Sequence, residues 1–160
     1  MTSVLFVCMG NICRSPTAEA VFRTLVAREH LSDRIVVDSA GTHDYQLGEP
    51  PDPRAIATAR RSGYLLGDRA ARQVERDDFQ RFAWVIAMDR HNLRSLATLR
   101  PRSYAGHLGL LLDFAPELGL RDVPDPYHGA QEDFDRALDL IERATPALLG
   151  AVRAGLASNR

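Results

Sequence analysis

Short apolar runs alternate with longer segments of helical periodicity along this chain, and this alternation constrains the fold more than any other feature. A run without polar alternation is typical of a strand that is buried on both faces. Strands separated by helices favour a parallel sheet with right-handed crossovers. We predict strands at Val4–Val7, Ile35–Val37, Trp84–Met88 and residues 107–112, and helices after Ser15, over Arg54–Ser62 and in the C-terminal segment from Gly129.

The length of 160 residues predicts one domain, which we place over residues 1–160. The pattern predicts an α/β fold: a Rossmann-like three-layer sandwich in which helices flank a central four-stranded parallel sheet. The net charge of −1 does not favour a nucleic-acid binder or an anchor to an acidic membrane surface. No apolar run is long enough to span a bilayer, and two sparse cysteines without a signal peptide indicate the cytoplasm.

The loop after the first predicted strand reads C-M-G-N-I-C-R and leads directly into a helix, with Ser15 as the predicted N-cap and Pro16 in the first turn. Ligands of parallel α/β sheets bind beyond the carboxyl ends of the strands. Here the helix start offers free N–H groups, and an arginine fork can hold two oxygens of one anion. Glycine and asparagine tolerate the left-handed conformations of a tight loop. We therefore expect a phosphate site formed by Met9, Gly10, Asn11, Ile12, Cys13, Arg14 and Ser15.

Cys8 is the candidate nucleophile of this loop. The positive surroundings favour its thiolate, and a thiolate beneath a bound phosphate can attack phosphorus. A cysteine at a strand end is often only a small packed apolar residue, but that explanation leaves Asn11, Arg14 and Ser15 unexplained. A metal site at Cys8 and Cys13 would lack further cysteine ligands.

A second stretch, V-P-D-P-Y-H-G, supplies a candidate acid. Phosphoryl transfer needs a proton donor for the leaving oxygen. The two prolines stiffen a loop that presents Asp125 beside Tyr127, and a stiff loop can hold an acid at a fixed distance. An ordinary surface turn explains this stretch equally well when it is taken alone.

Together, VLFVCMGNICRSPTAEAVF and VPDPYHG resemble the low-molecular-weight protein tyrosine phosphatases. The resemblance covers nearly the whole chain and includes DSAG, PDPRA, ARQ and AMDRHNL. It implies hydrolysis of phosphotyrosine and aryl phosphates without a metal or an organic cofactor. Cys8 would form a phosphocysteine, Arg14 and the loop amides would bind the phosphate, and Asp125 would act as general acid and then as general base.

The resemblance also implies supporting roles. Ser15 would hydrogen-bond the sulfur of Cys8, Asn11 would hold the loop with Ser39 as its partner, and Asp89 would orient Arg14. The neighbouring Cys13 would be a redox partner that protects Cys8 through a reversible disulfide, as the pairing of a thiolate with a nearby resolving thiol suggests. A packed small residue is the alternative explanation of Cys13.

Four residues are expected to shape the substrate slot. Tyr45 and Tyr127 would be its two walls, and Ile12 would favour aryl phosphate because the similar phosphoarginine phosphatases usually have threonine there. His128 stands where many members have a second aromatic residue; it is either a rim donor or a solvated loop histidine. Arg69 replaces a histidine that often precedes ARQ, so any role of that histidine is filled differently here.

The implied partner is a phosphotyrosine-containing protein or peptide, for which a tyrosine kinase is one candidate, and the implied state is a monomer or a weak dimer. Three other functions are alternatives to this one. A thioredoxin-coupled arsenate reductase needs cysteines beyond Cys13, which the sequence lacks. A silent phosphotyrosine-binding module would not need both Cys8 and Asp125. A phosphatase for a small metabolite stays open on sequence alone.

Overall fold

One sheet of four parallel strands forms the centre of the computed structural model, which describes residues 1–158. The strands are β1 (Thr2–Cys8), β2 (Ile35–Gly41), β3 (Trp84–Ala87) and β4 (His107–Leu110). Their order in the sheet is β2-β1-β3-β4, and every pair is parallel. Residues 159 and 160 of the predicted domain lie outside the described residues.

Helices cover both faces of the sheet. They are α1 (Arg14–Arg28), α2 (Pro53–Arg61), α3 (Asp78–Arg81), α4 (Arg90–Leu99) and α5 (Gln131–Ser158), with two 3₁₀ turns at Leu111–Phe114 and Pro116–Leu118. Helices α1, α2 and α5 contact one another on one side, while α4 contacts β3 and β4 on the other. The predicted α/β three-layer sandwich is therefore confirmed.

Strand β1 is the centre of the core. Its residues Val4 and Phe6 belong to the apolar cluster with α1 and α5, whereas Leu5 and Val7 belong to a second cluster with Leu96 of α4. All four strand residues are completely buried. Burying such side chains is worth about 1.5–3 kcal/mol each, which fixes the position of the strand and of the loop that follows it.

The structure corrects several predicted boundaries. Strand β2 continues beyond the predicted Ile35–Val37 to Gly41, because it pairs with β1 in register as far as Cys8 and Gly41. Strand β3 ends at Ala87, and β4 ends at Leu110, where a 3₁₀ turn begins. Helix α4 was not predicted; it begins with a capping box in which Asp89 and Asn92 each accept a hydrogen bond from the other's backbone N–H.

The carboxyl ends of β1, β2 and β3 meet at one edge of the sheet, and the loops that leave them carry the candidate site. None of the helices within residues 1–158 combines the length and the apolar character that a membrane crossing requires.

Candidate active site

The loop between β1 and α1 forms the floor of the site. Asn11 adopts the left-handed conformation with φ of 58°, which an asparagine tolerates better than most residues. The predicted N-cap at Ser15 is wrong: α1 already begins at Arg14, and Cys13 precedes it without a side-chain cap. The hydroxyl of Ser15 is free for another contact because it lies inside the first turn.

Ser15 contacts the candidate nucleophile. Its Oγ lies 3.0 Å from Sγ of Cys8, and both residues are buried. The hydroxyl also accepts a hydrogen bond from Nδ2 of Asn11 at 2.9 Å. With Asn11 as its donor, Ser15 can turn its own proton toward the sulfur and stabilise a negative charge there.

Asn11 ties the loop to strand β2 and to the segment that follows Arg69. Its Nδ2 also donates to Oγ of Ser39 at 3.0 Å, and its Oδ1 accepts from the backbone N–H of Arg72 at 3.1 Å. Ser39 in turn donates to the buried carboxylate of Glu19 at 2.8 Å. The amide of Asn11 thus joins the first turn of α1 to two segments that are distant in sequence, β2 and the segment at Arg72.

An ionic cluster lies behind this amide. Arg69 forms ion pairs with both Glu19 and Asp38, and Arg72 contacts Asp38 at 3.0 Å and the fully buried Asp78 at 3.1 Å. Sequence reasoning noted Arg69 only as a departure and missed the other members. The guanidinium of Arg69 supplies positive charge that balances the carboxylates of Glu19 and Asp38 next to the loop.

Arg14 is 2% exposed and is held by three oxygens. Its Nη1 donates to Asp89 at 2.6 Å and to the carbonyl of Val123 at 2.9 Å, and its Nη2 lies 3.6 Å from Asp125. Burial opposes the charge of the guanidinium, but the negative charge of Cys8 and the hydrogen bond to Asp89 outweigh it and raise the pKa of Arg14. Its Nε has no hydrogen-bond partner within residues 1–158.

A cavity of about 280 Å³ opens above the loop. It brings together Cys8, Met9, Gly10, Ile12, Cys13, Arg14, Tyr45, Gln46, Asp125, Tyr127 and His128. Of the residues proposed from sequence, Asn11, Ser15, Ser39 and Asp89 lie behind this surface and do not line it. Gln46 was missed, and its only signal is that it follows Tyr45.

The two tyrosines that line the cavity are held by different contacts. Tyr45 is 74% exposed and stacks on His43, with ring centroids 5.1 Å apart. Tyr127 is held more firmly: Arg54 donates to its carbonyl at 2.9 Å and lies over its ring at 5.7 Å from the centroid. His128 meets Tyr127 edge to face at 4.8 Å.

Asp125 reaches into the cavity from the loop before α5, with 42% of its side chain exposed. Its Oδ1 accepts a hydrogen bond from the backbone N–H of Tyr127 at 3.2 Å. The other oxygen, Oδ2, is the one near Arg14. The carboxyl group is thereby oriented while still open to solvent and substrate.

The two cysteines are not equivalent. Both are buried and reduced, and Ser15 contacts only Cys8 among them. Burial, assisted by the negative charge of Asp52, raises the pKa of the Cys13 thiol far above its ordinary value. Cys13 is therefore a protonated thiol at neutral pH. Within residues 1–158, no group of three or more His, Cys, Asp or Glu side chains is arranged to hold a metal ion.

Comparisons with known proteins point to one family. The sequence profile of the low molecular weight phosphotyrosine protein phosphatases matches residues 3–158. The chain is 40% identical to the low molecular weight protein-tyrosine-phosphatase YfkJ of Bacillus subtilis, covering 96% of this chain and 97% of that protein. It is 45% identical to a low molecular weight protein-tyrosine-phosphatase of Streptomyces coelicolor, covering 94% and 93%.

Solved structures give the same result. The crystal structure of a protein tyrosine phosphatase from Entamoeba histolytica superimposes with a TM-score of 0.93 at 36% identity, and the match covers 97% of this chain and 99% of that chain. The family resemblance predicted from the two motifs is thus confirmed over nearly the full length: the chain belongs to the low molecular weight phosphotyrosine protein phosphatases, a family of hydrolases.

Proposed function

We propose that this protein hydrolyses phosphotyrosine and other aryl phosphates through a phosphocysteine on Cys8. The observation that carries the proposal is the meeting of three groups in one cavity: the sulfur of Cys8, the guanidinium of Arg14 and the carboxyl of Asp125. The unpartnered, buried Nε of Arg14 supports it, because a buried N–H without an acceptor is costly and a phosphate oxygen would satisfy it.

In the first step the thiolate of Cys8 attacks phosphorus, and the bond from phosphorus to the phenolic oxygen breaks. Arg14 and the N–H groups of the loop bind the equatorial oxygens and stabilise their charge in the transition state. Asp125, protonated at this point, gives its proton to the leaving oxygen, so that a neutral phenol departs.

In the second step Asp125, now a carboxylate, takes a proton from a water molecule. The water oxygen attacks phosphorus, and the sulfur–phosphorus bond breaks. Inorganic phosphate leaves, and the thiolate of Cys8 is restored. Ser15, at 3.0 Å from the sulfur, stabilises the departing thiolate by a hydrogen bond.

The shape of the cavity supports an aryl group. Ile12, Tyr45, Tyr127 and His128 line it, and the two tyrosine rings offer apolar faces to a flat substrate ring. We expect kcat/KM for aryl phosphates to exceed that for alkyl phosphates. Equal values would favour a phosphatase for a small metabolite instead.

The decisive experiment is hydrolysis of p-nitrophenyl phosphate across pH by wild type, Cys8→Ser and Asp125→Ala. Cys8→Ser should be inactive. Asp125→Ala should lose about 10²–10⁴-fold in kcat and the limb of the pH profile that reports the general acid. Asp139→Ala is a matched control, because Asp139 is an exposed carboxylate on α5 whose ion pair is with Arg143.

The opposite results would contradict the assignment. Wild type that binds vanadate tightly without any turnover would be a silent phosphotyrosine-binding module. A fall in Asp125→Ala no larger than in Asp139→Ala would remove Asp125 from the mechanism.

We also propose that this site undergoes reversible oxidation. Peroxide would oxidise Cys8 to a sulfenic acid; the thiol of Cys13 would attack that sulfur, forming a disulfide and releasing water. Since the pKa of Cys13 is raised, this second step requires loss of a proton that Cys13 holds tightly. We expect peroxide to inactivate the enzyme and a thiol reductant to restore it, with poorer recovery in Cys13→Ser. Equal recovery would exclude the disulfide.

The proposed substrate in the cell is a phosphotyrosine-containing protein, and a tyrosine kinase phosphorylated on its own tyrosines is one candidate. We expect the enzyme to act in the cytoplasm as a monomer or a weak dimer. Sedimentation of the purified protein at several concentrations would test the oligomeric state.

A further inference from the structure

A second cavity, of about 320 Å³, shares the Met9 wall of the catalytic cavity. The mechanism above makes no use of it. Three of its side chains are basic, and no carboxylate lines it. Its lining includes Met9, Thr42, His43, His91 and Arg94.

Within residues 1–158, the basic side chains of this cavity form no ion pair with a carboxylate. Nη2 of Arg94 lies 2.8 Å from Nδ1 of His91, and because an arginine can only donate, the histidine nitrogen accepts. Neither of these residues nor His43 forms an ion pair with any carboxylate within residues 1–158. An arginine in contact with a histidine and no acid leaves most of its N–H donors available to a ligand.

Two acids near the start of α4 are engaged elsewhere. Asp89 accepts hydrogen bonds from Arg14 at 2.6 Å and from the N–H of Asn92 at 2.7 Å. Asp122 is bound by Arg90 at 2.9 Å. On α4, Arg90 therefore has an acidic partner, whereas Arg94 forms no ion pair within residues 1–158.

Met9 and Tyr45 each contact His43 in the wall between the two cavities. The backbone N–H of His43 donates to the carbonyl of Met9 at 3.0 Å, so His43 is fixed to the proposed phosphate loop, residues 9–13 between β1 and α1. Its ring stacks on Tyr45, which lines the catalytic cavity from the other direction. A peptide that places a phosphotyrosine in the slot would thus lead its neighbouring residues past the shared Met9 wall toward the second cavity.

We propose that the cavity of His43, His91 and Arg94 is a subsite for an acidic side chain close in sequence to the phosphotyrosine of the substrate. The planar fork of Arg94 suits a carboxylate, and the half-buried His43 and Thr42 border the position from the loop side. The proposal rests on the function proposed above and adds a preference among phosphotyrosine substrates.

The test uses phosphotyrosine peptides that carry one glutamate at each of the three positions on either side, each matched with a glutamine peptide. Wild type should prefer the glutamate peptide in kcat/KM for at least one position. In Arg94→Gln that preference should fall by about twofold to fivefold, the value expected for one exposed ion pair. High salt should reduce the wild-type preference in the same way.

Arg102→Gln is the matched control, because Arg102 is exposed, forms no ion pair within the described residues and does not line the cavity. It should keep the full preference. Hydrolysis of p-nitrophenyl phosphate, which has no neighbouring residues, should be unchanged in both variants.

Two outcomes would contradict the proposals, and they are distinguishable. A wild type that hydrolyses p-nitrophenyl phosphate but shows no glutamate preference, or the same preference in Arg94→Gln, would exclude the subsite alone. A wild type that does not hydrolyse p-nitrophenyl phosphate would exclude the phosphatase function and the subsite with it.

Discussion

Gly41 offers a direct test of how tightly the fold holds the phosphate loop. A Cβ at this position would lie 2.6 Å from the carbonyl oxygen of Met9 and 3.1 Å from the backbone N of Asn11. These are backbone atoms, so they cannot rotate away as a side chain could, and the loop must shift by several tenths of an ångström. We expect Gly41→Ala to displace the loop amides that are proposed to bind phosphate.

The size of the effect follows from the clash. Overpacking of this kind costs about 1–3 kcal/mol. At this chain length each kcal/mol lowers Tm by about 2–4 °C, so Tm should fall by about 2–12 °C. A misplacement approaching 1 Å costs about 10²-fold in catalysis, so kcat on p-nitrophenyl phosphate should fall by about tenfold to a hundredfold.

Gly150→Ala is the control for this experiment. Position 150 lies within α5 and has open space where a Cβ would be, so alanine should stabilise the helix by about 0.5–1 kcal/mol and leave kcat unchanged. Calorimetry would measure Tm and steady-state kinetics would measure kcat for both variants and for wild type. If Gly41→Ala keeps the wild-type Tm and kcat, the loop is not constrained by β2 in the way described.

Two further substitutions test other parts of the structure. Ser39→Ala removes the partner of both Asn11 and Glu19 in a buried place, so urea denaturation should show a loss of about 1–3 kcal/mol, together with a lower kcat; unchanged values would mean that the loop amide is held by its other contacts. For Tyr104, burial raises the pKa from 10.0 to about 12. The unfolded chain therefore ionises first, and wild type should lose stability relative to Tyr104→Phe as the pH rises from 10 to about 12. A constant difference between the two proteins over that range would refute the burial of this hydroxyl.

The sequence predicted those parts of the site that are local in the chain. Cys8, Asn11 and Arg14 belong to one loop between a strand and a helix, so their mutual arrangement follows from the strand end and the helix start. Asp125 is distant, and only the family motif connected it with the loop. The start of α4 could also have been predicted, because Asp89 and Asn92 have the spacing of a capping box.

The ionic support of the loop could not have been predicted in the same way. Glu19 and Arg69 are fifty positions apart and meet only because α1 and the segment before Arg72 pack against the same strand. Similarly, the basic cavity joins Arg94 on one helix with His43 on a loop. Many arginines of the chain have acids near them in sequence, and nothing local indicates which of them form no ion pair within residues 1–158.

The contacts of Asn11 and Gly41 have a consequence for folding. The phosphate loop takes its shape from β2 and from the segment at Arg72, whose carbonyl accepts from the N–H of Gly41 at 2.9 Å. A nascent or partly refolded chain that has formed only β1 and α1 would therefore carry the whole C-x5-R motif without a working catalyst. During refolding, the return of enzymatic turnover would mark the moment when β2 and the Arg72 segment have docked, not when the loop is first synthesised.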